Sequence, residues 1–108
     1  MRDTKKELIQ LGLSPRRISF WDIIYAVELV QSDMSSLTAI TKEIYAKTGL
    51  HRSVEWDCAE ASIRRGILAI WEQGNRAKLE QIMHYSLLGP PTAGEFLGAF
   101  VFYLEDNS

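Results

Sequence analysis

Apolar residues recur at steps of three and four along nearly the whole chain, and no stretch alternates strictly enough to make a paired strand. The pattern predicts an all-α fold: a single small domain over residues 1–108, built from about six helices. Asp3 or Thr4 can cap a first short helix carrying Leu8, Ile9 and Leu11, and Gly12 suits the left-handed residue that commonly ends a helix. Pro15 keeps the connection non-helical. After Ser19, FWDIIYAVELVQSD places Phe20, Ile23, Ile24, Val27 and Val30 or Leu29 on one wide face, with Asp22 near the positive N-terminal end. Ser35 or Ser36 can cap LTAITKEIYAKT, whose Leu37, Ile40 and Ile44, with Tyr45 beside them, turn inward before a stop at Gly49.

The longest pattern is SVEWDCAEASIRRGILAIWEQGN, a helix over Ser53–Gln73 stopped by Gly74. Ser53 suits its N-cap, and Trp56, Ala59 or Glu60, Ile63, Ile67, Ile70 and Trp71 make one apolar stripe. That stripe assigns Trp56 and Trp71 to the core. RAKLEQIM predicts a shorter fifth helix, and Gly89-Pro90-Pro91 forces a turn because consecutive prolines supply no amide donors. Thr92 and Glu95 have capping-box spacing for a last helix, Glu95 to Leu104. Its Phe96, Leu97, Phe100, Val101, Phe102, Tyr103 and Leu104 exceed what one buried face needs, so some are expected at the surface.

Composition narrows the chemistry. Twelve Lys and Arg against 14 Asp and Glu leave a net charge of −2, so a phosphate-binding surface must be local. Between Lys42 and Arg65, five basic residues face four acidic ones; that segment is +1 and the remainder −3. One cysteine, Cys58, cannot form an internal disulfide, and His51 and His84 make no metal-ligand pattern. Neither metal nor cofactor is implied. No run has the length of a membrane span or the apolar core of a secretory signal, which predicts a cytoplasmic protein with no membrane partner. No catalytic residue is assigned: neither histidine has an identifiable nucleophile partner, and no glycine-rich phosphate loop occurs.

The third and fourth helices, joined through GLHRS, have the form of a helix-turn-helix, in which the second helix can enter the major groove. Many all-α domains contain such a pair without binding DNA. LIQLGLSPRRISFWDIIYAVELVQSDMSSLTAITKEIY, then SIRRGILAIWEQGN and later PPTAGEF, however, resembles the C-terminal effector domain of the stage zero sporulation protein A family over nearly the whole chain. The shared positions are Gly12, Ile40-Thr41-Lys42, Ile44-Tyr45, Ile63, Arg64, Ile67, Trp71, Gly74-Asn75, Pro91-Thr92 and Glu95-Phe96.

The resemblance implies a bacterial DNA-binding transcription regulator of sporulation initiation, with double-stranded promoter DNA, a second copy of the chain and RNA polymerase as partners. In that family a phosphorylated receiver domain controls dimerisation. No receiver lies within these 108 residues, which predicts a stand-alone domain or a trimmed piece. On the helical wheel, Asp57, Glu60, Ala61, Arg64 and Leu68 oppose the apolar stripe, with Cys58 and Arg65 at the margins. Glu60 and Arg64 match family positions that contact bases and backbone. Cys58 and Ala61 stand where the family has two further arginines, and neither can grip guanine bidentately. Thr48 and Arg52 stand where the family has apolar residues. The expected DNA-binding set is Arg52, Ser53, Asp57, Glu60, Ala61, Arg64 and Arg65, with Arg52 and Ser53 near a phosphate at the helix start. Phe102 and Tyr103 are the expected dimer anchors. A second class stays open: a non-enzymatic protein-interaction module that keeps the fold, has lost specific reading and modulates a related regulator.

Overall fold

Local signals near the ends of the chain act as their residue types dictate. In the computed structural model, which describes residues 1–106, Asp3 caps α1 (Thr4–Gln10) by accepting from the Lys6 amide at 3.2 Å. Leu8 and Leu11 point into the core, whereas Ile9 is 51% exposed. Gly12 follows at φ +103°, and the chain turns into α2 (Ile18–Ser32). That helix starts a residue before Ser19, which is buried in its first turn rather than capping it. Phe20, Ile23, Ile24, Val27 and Val30 form the buried face as expected; Leu29 is only half-buried.

The third expected helix breaks into three kinds of turn. Asp33, not Ser35 or Ser36, caps a 3-10 segment, Met34–Ala39, accepting from the Ser35 amide at 3.0 Å and from its hydroxyl at 2.6 Å. A π-helical turn, Thr41–Tyr45, follows and runs directly into α3 (Ala46–Arg52). Ile44 and Tyr45 of this turn are both buried. Gly49 does not stop the helix. A Cβ there would meet the Val54 carbonyl oxygen at 2.6 Å, so this glycine makes room for the chain passing back over it.

The stop lies at Ser53, which is left-handed at φ 62° and ψ 42°. The Val54 amide donates to the Gly49 carbonyl at 2.8 Å and the Ser53 amide to the Leu50 carbonyl at 3.3 Å, the paired bonds of a Schellman ending. Ser53 therefore ends α3 instead of capping the next helix; Glu55 occupies that cap position and makes no side-chain cap bond.

α4 (Trp56–Gln73) buries Ala59, Ser62, Ile63, Gly66, Ile67 and Ile70, which selects Ala59 over Glu60 for the stripe. It lies close against α2: a Cβ at Gly66 would sit 2.8 Å from Ile23 Cδ1 and 2.9 Å from Ser19 Cβ. Trp71 is half-buried, with the Arg76 guanidinium 3.3 Å from its ring centroid. Trp56 departs from expectation at 48% exposed. Periodicity puts it on the stripe, but it is the first residue of α4 and no other element fully covers that end.

Asn75 caps α5 (Arg76–Met83), and Thr92 with Glu95 forms the expected capping box of α6 (Ala93–Glu105), both bonds being present. Phe96, Leu97, Phe100, Val101 and Leu104 of α6 join the faces of α2, α4 and α5 in one core. The fold is all-α among the described residues. No helix of the described residues is long and apolar enough to cross a membrane.

Candidate nucleic-acid interface

Because α4 buries one stripe on α2 and the core, its opposite side is left to solvent. Asp57, Cys58, Arg64 and Arg65 are exposed there, and Glu60, Ala61 and Leu68 are half-buried. Two clefts flank this ridge. One, of about 480 Å³, lies between Asp57, Cys58, Ala61, Ser62 and Arg65 of α4 and Ile18 and Ser19 of α2. The other, of about 350 Å³, separates Glu60, Arg64 and Leu68 from Tyr45 and from the Pro90–Ala93 turn. Burial and the neighbouring Glu60 carboxylate push the Tyr45 phenol up, so it remains neutral in that second cleft.

On the ridge, Arg64 Nε donates to Glu60 Oε2 at 3.1 Å, one turn back along the same helix. The pair is water-exposed and contributes little to stability. Its consequence is directional: Glu60 holds the inner nitrogen of the guanidinium and leaves the terminal nitrogens, which make no bond among the described residues, facing out. The expected residues Asp57, Glu60, Ala61, Arg64 and Arg65 thus share one surface.

Arg52 and Ser53 are placed differently from the sequence expectation. Arg52 Nε and Nη2 each donate at 2.9 Å to the two carboxylate oxygens of Asp22, a bidentate pair between α3 and α2. Asp22 is 3% exposed, and its hydrogen bonds raise the Arg52 pKa above the ordinary value. The guanidinium expected to meet a phosphate is thereby held by a buried acid, while its side chain stays 30% exposed at the edge of the cleft between α4 and α2. Ser53 lies beyond the C-terminus of α3 and does not present a helix N-terminus. His51, in the expected turn, lies in α3 and stacks on Tyr25, centroids 3.9 Å apart.

The proposed dimer anchors also separate. Phe102 is 64% exposed. Tyr103 is held within the chain: its hydroxyl donates to Glu7 Oε1 at 2.9 Å and accepts from Lys78 Nζ at 3.2 Å, and Arg2 covers its ring. Burial would raise the Glu7 pKa, but the bonds from Lys78 and Tyr103 outweigh it and hold the carboxyl below its ordinary value.

Arg16 and Arg17, a basic doublet visible in the sequence immediately before α2, lie outside the expected set. The turn brings Arg17 to the same depression as Arg65. No group of three or more His, Cys, Asp or Glu side chains able to hold a metal occurs among the described residues. A comparison with known families supplies the frame for this surface: the model of the Sporulation initiation factor Spo0A C terminal matches residues 4–104.

Proposed function

Since the chain belongs to that Spo0A C-terminal family of DNA-binding sporulation-regulator domains, we propose that it is a sequence-specific transcription regulator that lays α4 in the major groove of promoter DNA. On this reading α3, the Ser53–Glu55 turn and α4 act as a helix-turn-helix. The observation that carries it is the α4 ridge, where the exposed Arg64 and Arg65, with the half-buried Ala61 and Leu68, line two clefts and Glu60 orients Arg64.

The chemistry follows from donor geometry. With Nε held by Glu60, the terminal nitrogens of Arg64 can pair with guanine O6 and N7, and the remaining Glu60 oxygen can accept from a cytosine amino group. Arg65 contacts phosphate. Cys58 and Ala61 offer no bidentate contact, so this surface reads fewer base pairs than one with arginine at both positions.

Arg64→Ala costs about 1–3 kcal/mol of binding and relaxes preference at one position of the site. A salt titration on a promoter library reads both effects, and unchanged affinity at low salt overturns the assignment. Assembly on paired half-sites rests on the exposed Phe102, with Tyr103 reserved for contacts inside the chain. Phe102→Glu is expected to weaken DNA binding while shifting the melting temperature by no more than a few degrees, because a side chain 64% exposed contributes little to the core. Sedimentation on DNA checks this: a parent protein that sediments as one copy per duplex removes the dimer face.

A further inference from the structure

The two flanks of the α4 ridge differ in charge. On the α6 side, the cleft wall carries Glu60 and Arg64, already paired with each other, and the uncharged turn from Pro90 to Ala93. The α2 side carries Arg65 together with Arg17, which line one depression with Leu68, Ala69, Gln73 and a single acid, Glu72. Arg65 also lines the larger cleft against Ile18 and Ser19, a cleft whose other charged residues are Arg52, paired with Asp22, and the acid Asp57. Arg16 adjoins Arg17. Arg16, Arg17 and Arg65 are exposed, and none makes an ion pair among the described residues.

The turn bearing Arg16 and Arg17 is ordered by its own bonds. The Arg16 amide donates to Ser14 Oγ and the Arg17 amide to the Ser14 carbonyl, both at 3.1 Å, and Trp21 Nε1 donates to the Pro15 carbonyl at 2.8 Å. Backbone held this way presents its cations without first paying the ordering entropy of a loose loop.

We propose that Arg16, Arg17 and Arg65 form a shelf for the sugar-phosphate backbone of double-stranded DNA, on the α2 side of α4. This deepens the DNA-binding reading above and rests on it. The shelf assigns the start of α2 a positioning role: it grips one strand whatever its sequence and sets the angle at which α4 meets the base edges. It also supplies local positive charge to a chain whose net charge is −2.

The test compares the parent chain, the double variant Arg16→Ala/Arg17→Ala and the single variant Arg64→Ala on two duplexes of unrelated sequence across a salt series. The double variant is expected to lose affinity equally on both duplexes and to flatten the slope of log affinity against log salt by about 1 to 2. Its melting curve matches the parent's, since neither side chain makes a bond within the fold. If Arg64→Ala weakens binding but the double variant keeps the parent's slope, the shelf is wrong and the reading of α4 stands. If the parent binds neither duplex at low salt, the DNA reading fails and the shelf fails with it.

Discussion

Gly74→Ala is expected to destabilise the domain by about 3 kcal/mol or more, lowering the melting temperature by roughly 10–20 °C. A Cβ at this position would lie 2.3 Å from the Leu11 carbonyl oxygen and 2.6 Å from the Ile70 carbonyl oxygen. Both obstacles are backbone, one in the turn after α1 and one in the last turn of α4, so no side chain can rotate aside. The Asn75 amide also donates to the Leu11 carbonyl at 2.9 Å, which ties the two turns at the point of overlap. Gly12 meets the same crossing from the other side, its own would-be Cβ 2.6 Å from Gly74 Cα. Gly89→Ala is the matched control, because a Cβ there meets nothing within 4 Å. Thermal melts of the two variants read the difference directly; a Gly74→Ala protein that melts with the parent would show that the crossing yields freely.

Arg52→Ala is expected to cost about 3 kcal/mol, through the fold rather than through lost phosphate contact. The substitution leaves Asp22, 3% exposed, without the guanidinium that neutralises it, and an unpaired buried carboxylate is strongly unfavourable. The second substitution Asp22→Ala in the same chain removes that stranded charge and restores part of the stability. Urea unfolding of both singles and the double forms the cycle. If Arg52→Ala instead melts with the parent and loses DNA affinity with a shallower salt slope, the arginine belongs to the interface and the ion pair contributes little.

The shared surface of the candidate residues was legible wherever helical periodicity alone decided it. Asp57, Glu60, Ala61, Arg64 and Arg65 share a surface because the angular step of an α-helix puts them there once Ile63, Ile67 and Ile70 go inward. The pairing of Arg52 was not legible, because the acid that engages it sits thirty residues earlier, on another helix. Sequence spacing carries no record of such a meeting. The contacts of Tyr103 were hidden for the same reason, since Glu7 and Lys78 reach it from α1 and α5. Arg16 and Arg17 precede α2, far along the sequence from the charged segment around α4, and only the fold brings Arg17 beside Arg65.

By itself the sequence determined the all-α class, the long amphipathic α4, the Thr92 and Glu95 capping box and the buried faces of α2 and α6. These depend on neighbours one to four residues apart, and such interactions are complete within a single helix. Tertiary structure decided the rest. It drove the chain through 3-10 and π turns before α3, exposed Trp56 and paired Arg52 with a buried acid. For Trp56 and Arg52 the outcome depends on what arrives from elsewhere in the chain: an uncovered end of α4, a carboxylate on α2. Local pattern specifies which face of a helix is apolar, but only packing specifies what meets that face and how far along the helix the cover extends.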